Sequence, residues 1–112
     1  MTTMNIKPRL EKENCEFSGT GGVSSENRHC NFVPAFMDME SGRIAISCFF
    51  DGRQAPCHIL EGIPAEWITR RDEKGRVQGV KGSIVSGFVR LNRFFTRQEA
   101  ADFMAQNFDA AV

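Results

Sequence analysis

The pairs Cys57–His58, in APCHIL, and His29–Cys30, in RHCNF, are the residues whose types best suit chemistry. A thiolate and an imidazole can share a tetrahedral zinc ion, or act as nucleophile and base. Both uses need the two groups to converge. Structural zinc sites usually take thiolates from C-x2-4-C turns, which fold two sulfurs onto one ion. Here the paired residues are adjacent, and adjacent side chains on an extended chain point to opposite faces. An ion between the pairs would take one ligand from each and need Cys15 or Cys48 to complete its shell. The same geometry parts Cys57 from His58 as nucleophile and base, leaving a cross-pairing such as Cys57 with His29. His29, Cys30, Cys57 and His58 are therefore metal candidates of the wrong spacing. The expectation is that one of Cys57 and His58 faces inward and the other outward. No catalytic residue and no cofactor site are assigned, and no pair of carboxylates has a spacing that selects acid–base work.

A second group of residues suits binding. Between Arg70 and Arg97 eight cations face two carboxylates, Asp72 and Glu73. Arg70, Arg71, Arg90 and Arg93, together with Trp67, form a candidate interaction set. Basic side chains interleaved with aromatic rings can track a phosphate backbone and stack on bases. A solvated hairpin surface whose phenylalanines turn into the core explains the same run, since charge on strands guards against edge pairing. Trp67 is the single tryptophan, suited to anchoring a partner or to burial against the C-terminal helix. Gly19, Gly21 and Gly22 lack the preceding strand, the Lys-Ser/Thr ending and the following helix of a phosphate loop.

These residues must be carried by a mainly β framework. Residues 1–27 are polar and broken by SGTGG and SSEN, which predicts a flexible leader ahead of one domain at 28–112. NFVPAFM and RIAISCFF, joined by DMESG, predict a hairpin over 31–50 with Gly42 in the turn. Alternation assigns Ile44, Ile46, Cys48 and Phe50 to the core face, with Arg43, Ala45, Ser47 and Phe49 opposite. CHIL reads as a short third strand. Gly75 closes a further hairpin between EWITRRD and RVQGVKG, and SIVSGFVRL and FF are strands joined at LNR. Gly79, Gly82 and Gly87 suggest bulges or close backbone approach. In TRQEAADFMAQNF, Thr96 and Glu99 have capping-box spacing. Ala100, Met104 and Phe108, joined by Ala101 and Phe103, form an apolar stripe, while Gln98, Asp102, Gln106 and Asp109 face out. The predicted fold is α+β: an antiparallel sheet of five to seven strands with one C-terminal helix on a face.

GFVRLNRFFTRQEAADF, with FVPAF, SGRIAIS, DGRQAP and HILEGIP upstream, resembles small bacterial proteins of accessory or mobile DNA, such as phage regions and gene cassettes. The resemblance spans roughly residues 31–105. It implies a fold ending in a strand and a capped helix, and it carries over no activity and no site residue.

Composition narrows the function classes. A chain of 112 residues with 41% hydrophobic and 25% charged residues has the balance of one globular domain. Fourteen basic residues against fourteen acidic ones exclude a generic polyelectrolyte binder. Ten phenylalanines and no tyrosine suit core filling better than a wet recognition surface. Without an apolar export region or a membrane-length apolar run, a cytoplasmic location with reduced cysteines is expected. The sequence thus suggests a binding protein that uses a strand edge or open sheet face for a protein partner or a homodimer. Nucleic-acid binding through residues 70–97 is the alternative, and a metal or thiol enzyme comes third.

Overall fold

The expected turns close where the backbone adopts positive φ. In the computed structural model, which describes the backbone of residues 3–108 and the side chains of 3–106, β2 (Val33–Asp38) and β3 (Ile44–Ile46) form a hairpin through Gly42 at φ 76°. β4 (Ile68–Arg71) and β5 (Val77–Lys81) form another through Gly75 at φ 81°. β6 (Ile84–Arg90) and β7 (Arg93–Thr96) meet across Leu91 and Asn92, both at positive φ. Such two-residue turns match the right-handed twist of the flanking strands.

The strands belong to two antiparallel sheets, in place of the single sheet expected. One has the order β3-β2-β6-β7; the other has the order β1-β5-β4, where β1 is Thr3–Asn5. Chain direction changes sheet between β5 and β6, across Gly82 and Ser83. The buried Asp38 carboxylate holds that corner. It accepts bonds from Ser83 Oγ (2.6 Å), Lys81 Nζ (2.9 Å), Ser41 Oγ (3.1 Å) and the Glu40 N–H (3.1 Å). The Ser83 and Lys81 bonds hold its carboxyl far below the usual carboxylate range.

The largest departure from expectation is at the N-terminus. The segment expected to be a flexible leader carries β1, which pairs with β5, and the helix α1 (Ile6–Phe17). Ile6, Leu10, Glu13 and Phe17 share one face of α1, and Ile6 and Leu10 enter the core with Phe36, Trp67, Val77, Val80 and Ile84. Pro8 sits in the first turn, where its missing N–H costs no helical bond. The short helix α2 (Ser24–Asn27) brings Glu26 back onto the SGTGG loop. Its carboxylate accepts the N–H groups of Gly19 (2.6 Å) and Gly21 (2.9 Å), so the anion held by this glycine loop belongs to the chain itself.

Two further expectations are corrected. β3 turns the opposite way: Ala45 packs toward the core and Ser47 is buried, while Ile44, Ile46 and Phe50 are exposed. Ala45 lies opposite the buried Phe36, whose ring leaves room there for a small side chain. CHIL forms no strand; the whole segment from 47 to 64 is a loop with one isolated bridge, Cys48 to Gln54. The C-terminal helix α3 (Arg97–Phe108) starts on the predicted capping box. Glu99 Oε1 accepts the Thr96 N–H (2.9 Å) and Thr96 Oγ1 accepts the Glu99 N–H (3.1 Å). Ala100 and Met104 pack with Cys30, Phe32, Phe88 and Phe95, and Gln98, Asp102 and Gln106 face out. The Phe108 side chain and Asp109 lie outside the described residues.

Candidate functional site

The loop that carries Cys57 and His58 is stapled back to its own first residue, just after β3, by one hydroxyl. Ser47 Oγ donates to the Cys57 carbonyl (2.9 Å) and accepts the Ile59 N–H (2.9 Å), fixing the chain on both sides of His58. The histidine points inward and the cysteine outward, one of the two arrangements expected. The His58 ring lies edge-on between Phe36 and Phe88. Its Nε2 is 2.7 Å from the Gly87 carbonyl, which can only accept, so Nε2 carries the proton. Nδ1 is then a lone pair, and it accepts a bond from Arg97 Nη2 at 3.2 Å. Burial and the facing Arg97 charge hold His58 neutral, with its pKa lowered to about 4.

Arg97, buried at the start of α3, is the hub of this network. Its guanidinium donates to Ser86 Oγ (3.1 Å) and to the Gly22 carbonyl (3.0 Å), and it faces the Glu13 carboxylate at 3.6 Å. Ser86 Oγ donates in turn to Glu13 Oε1 at 2.7 Å. One buried cation thus ties α1, β6, α3, the glycine loop and the His58 loop, with its charge offset by Glu13. Sequence reasoning missed this cluster because Glu13 lay in the supposed leader and Arg97 was counted among surface cations.

The remaining metal candidates go elsewhere. Cys30 is buried beside Phe32, Phe88 and Phe95, and His29 and Cys57 are exposed. Among the described residues no group of three or more His, Cys, Asp or Glu side chains is placed to hold a metal ion. With both ring nitrogens engaged, His58 has no lone pair free to take a proton from Cys57.

The candidate interaction residues are also dispersed. Trp67 is buried in the core cluster of Ile6 and Leu10 of α1 and not, as expected, in the cluster that α3 packs, because α1 supplies the apolar side chains on that side. Arg70 and Arg71 lie on β4, bonded to Asn5 Oδ1 and to the Gly75 carbonyl (2.7 Å). Arg90 and Arg93 belong to the other sheet. Arg90 donates to the Cys30 carbonyl (3.0 Å) and lies over the Phe103 ring; Arg93 lies over the Phe95 ring, 3.9 Å from Glu99.

An unforeseen surface emerges from the register of the four-stranded sheet. Ala45, Phe36 and Ser86 stand abreast on one face, as do Pro34, Phe88 and Phe95, and that face receives the core, the His58 loop and α3. Strand alternation places the intervening residues on the other face. Its rows read Val33–Val89–Phe94, then Ile46–Ala35–Gly87–Thr96, then Ile44–Met37–Val85. None of these side chains joins either core cluster, and none is charged. The Phe94 ring closes over Gly87, where an added Cβ would lie 2.4 Å from Phe94 Cζ. Met39 and Leu91, 59% and 78% exposed, extend the apolar character at the strand ends. Antiparallel sheets with one free face normally make it polar; this one carries a single hydroxyl, that of Thr96.

Comparison of the chain with protein-family models, with curated proteins and with solved structures finds no match. Among the described residues no helix is long and apolar enough to cross a membrane.

Proposed function

We propose that this protein is an interaction module that works by pairing the open face of its four-stranded sheet with the same face of a second copy. The observation behind this reading is the apolar face itself: three cross-strand rows without a charge, outside both core clusters, with Ile44 and Ile46 exposed, Ala35 and Gly87 buried at the centre and the rest half-buried. Strands of six, three, seven and four residues, at about 3.3 Å per residue and about 4.8 Å apart, give a footprint on the order of 300 Å². That is the size at which exposed apolar patches on monomers become functional.

A second copy suits this face better than a dissimilar partner, because it carries no charge pattern by which another protein would be selected. Apolar sheet faces pack on one another at about −30°, and a two-fold axis makes such a patch complementary to itself. Both copies together would bury on the order of 600 Å², below the range of stable specific complexes, so the dimer is weak and concentration-dependent. The β3 edge contributes little, since its three residues offer a short ladder.

Nucleic-acid binding is the less favoured reading. The arginines on which it rests lie on two different sheets, and several are bonded within the chain.

Sedimentation velocity across a concentration series tests the proposal. The expected result is a monomer–dimer equilibrium abolished by Met37→Lys with Val85→Lys, a cross-strand pair in the outermost row. A wild-type chain that stays monomeric to millimolar concentration, or a dimer that survives the double variant with its fold intact, would overturn it.

A further inference from the structure

A cavity of about 450 Å³ opens between α1, the His58 loop and the β4–β5 hairpin. Its volume falls within the range of small-molecule sites. Leu10, Ile59, Leu60 and Val77 supply an apolar lining, and the His58 ring, with both nitrogens already bonded, adds a wall and no reactive group. Phe50 stands beside it, 82% exposed, an aromatic ring left in water where a ligand would cover it.

The polar residues of the cavity define what would bind. Lys7, Arg71 and Arg76 line it, and Lys7 makes no ion pair among the described residues. Arg71 spends Nη1 on the Gly75 carbonyl, and Arg76 spends Nε on Asp72 at 3.0 Å. Each guanidinium keeps further N–H donors in the fork geometry that matches a carboxylate. Glu11 and Glu61 line the same cavity, and Glu61 is already bonded to the Phe50 N–H (3.2 Å). With Arg76 paired to Asp72, Lys7 and Arg71 are the cations left to meet a ligand, beside Glu11 and Glu61. A monoanion brings one negative charge to these two cations, whereas a phosphate dianion would bring two beside Glu11 and Glu61. At roughly 30 Å³ per atom of liquid-like filling, the cavity holds about fifteen non-hydrogen atoms.

From this combination we infer that the cavity is a binding site for a small amphipathic monocarboxylate, its apolar body against Leu10, Leu60 and Val77 and its head at Arg71 and Lys7. Decanoate is a suitable probe. In a ¹⁵N-edited NMR titration of the full chain, decanoate is expected to produce saturable shifts at Leu60, Val77 and the His58 ring. Decan-1-ol, of matching length and no charge, should bind at least tenfold more weakly. Arg71→Gln should weaken decanoate about tenfold and leave decan-1-ol unaffected. Arg70→Gln removes the same charge from the neighbouring position, outside the cavity, and should change neither. Equal losses in the two arginine variants would reduce the effect to diffuse attraction and overturn the proposal. So would equal affinities for acid and alcohol, an absence of saturation, or shifts confined to Met37, Val85 and Val89 on the open sheet face.

Discussion

Replacing His58 with glutamine separates proton linkage from packing in the buried network. The structure fixes the His58 tautomer: Nε2 donates to Gly87 and Nδ1 accepts from Arg97. A second proton would have to sit on Nδ1, facing a guanidinium, away from water. Folding therefore lowers the His58 pKa from 6.5 to about 4. Above pH 6.5 the ring is neutral in both states and its titration leaves stability unchanged. Below it, the unfolded chain takes up a proton that the folded chain refuses, and stability falls by about 1.4 kcal/mol per pH unit. The loss levels off near pH 4, after on the order of 3 kcal/mol. Glutamine carries an NH2 donor group and a carbonyl acceptor on its terminal amide and does not titrate, so His58→Gln can make both bonds without the linkage.

Urea denaturation at pH 7.5, 6, 5 and 4, read by the fluorescence of the single, buried Trp67, measures both proteins on one scale. The variant should match the wild type to within about 1 kcal/mol at pH 7.5, the net worth of a hydrogen bond. It should exceed the wild type by about 3 kcal/mol at pH 4. Carboxylates titrating near pH 4 do so in both chains and cancel in the difference. A wild-type slope retained in His58→Gln would refute the argument. His58→Ala, which leaves the Arg97 donor and the Gly87 carbonyl unpaired, should cost about 2–4 kcal/mol at pH 7.5.

Other perturbations read other parts of the structure. Gly87→Ala would set a Cβ 2.3 Å from the Phe95 carbonyl and 2.4 Å from the Phe94 ring, and overpacking there should cost about 1–3 kcal/mol in urea melts. Thr96→Ala removes half of the capping box and should cost about 1 kcal/mol, read as faster amide exchange in the first turn of α3. Asp38→Asn should lower the melting temperature at pH 7, since Lys81 loses its buried partner at the corner between the sheets. Because folding lowers the Asp38 pKa, its contribution is complete above about pH 3.8 and lost as pH falls further. The variant's acid limb below that point should be flatter than the wild type's.

What the sequence revealed and what it hid divide along physical lines. The hairpin turns and the α3 cap were legible because each is a local rule: Gly42, Gly75 and Asn92 adopt positive φ, and Thr96 and Glu99 are three residues apart. The orientation of β3 was not. Hydrophobicity alone points Ile44 and Ile46 inward, and it is Phe36 across the strand that reserves the core side for Ala45. The helix α1 was hidden by charge: IKPRLEKENCEF holds three apolar side chains on its buried face, Ile6, Leu10 and Phe17, and their spacing at i, i+4 and i+11 was the available signal. His58 was visible as a residue. Its partner Arg97, thirty-nine positions away, could be found only in space.

The charge surplus between residues 70 and 97 shows why a count along the chain is a poor guide to the field around the fold. Arg76 pairs with Asp72 inside the segment, but the other acids come from outside most of it. Lys81 meets Asp38 at the end of β2 and Glu40 in the turn that follows, Arg93 lies near Glu99 on α3, and Arg97 is matched by Glu13 on α1. Four of the eight cations thus have carboxylates within ion-pair distance. Of the rest, Arg70 and Arg71 sit on one sheet and Arg90 on the other. A surface that tracks a phosphate backbone needs its positive charges aligned and unspent, because affinity there grows with the number of phosphates neutralised together. The open apolar face has the opposite property. Its three rows are contiguous across four strands, so the contributions of its side chains add over one surface. The weak salt dependence expected of such an interface gives a further check: raising salt from 50 to 500 mM should leave dimerisation intact, whereas binding that neutralised several phosphates would fall by orders of magnitude.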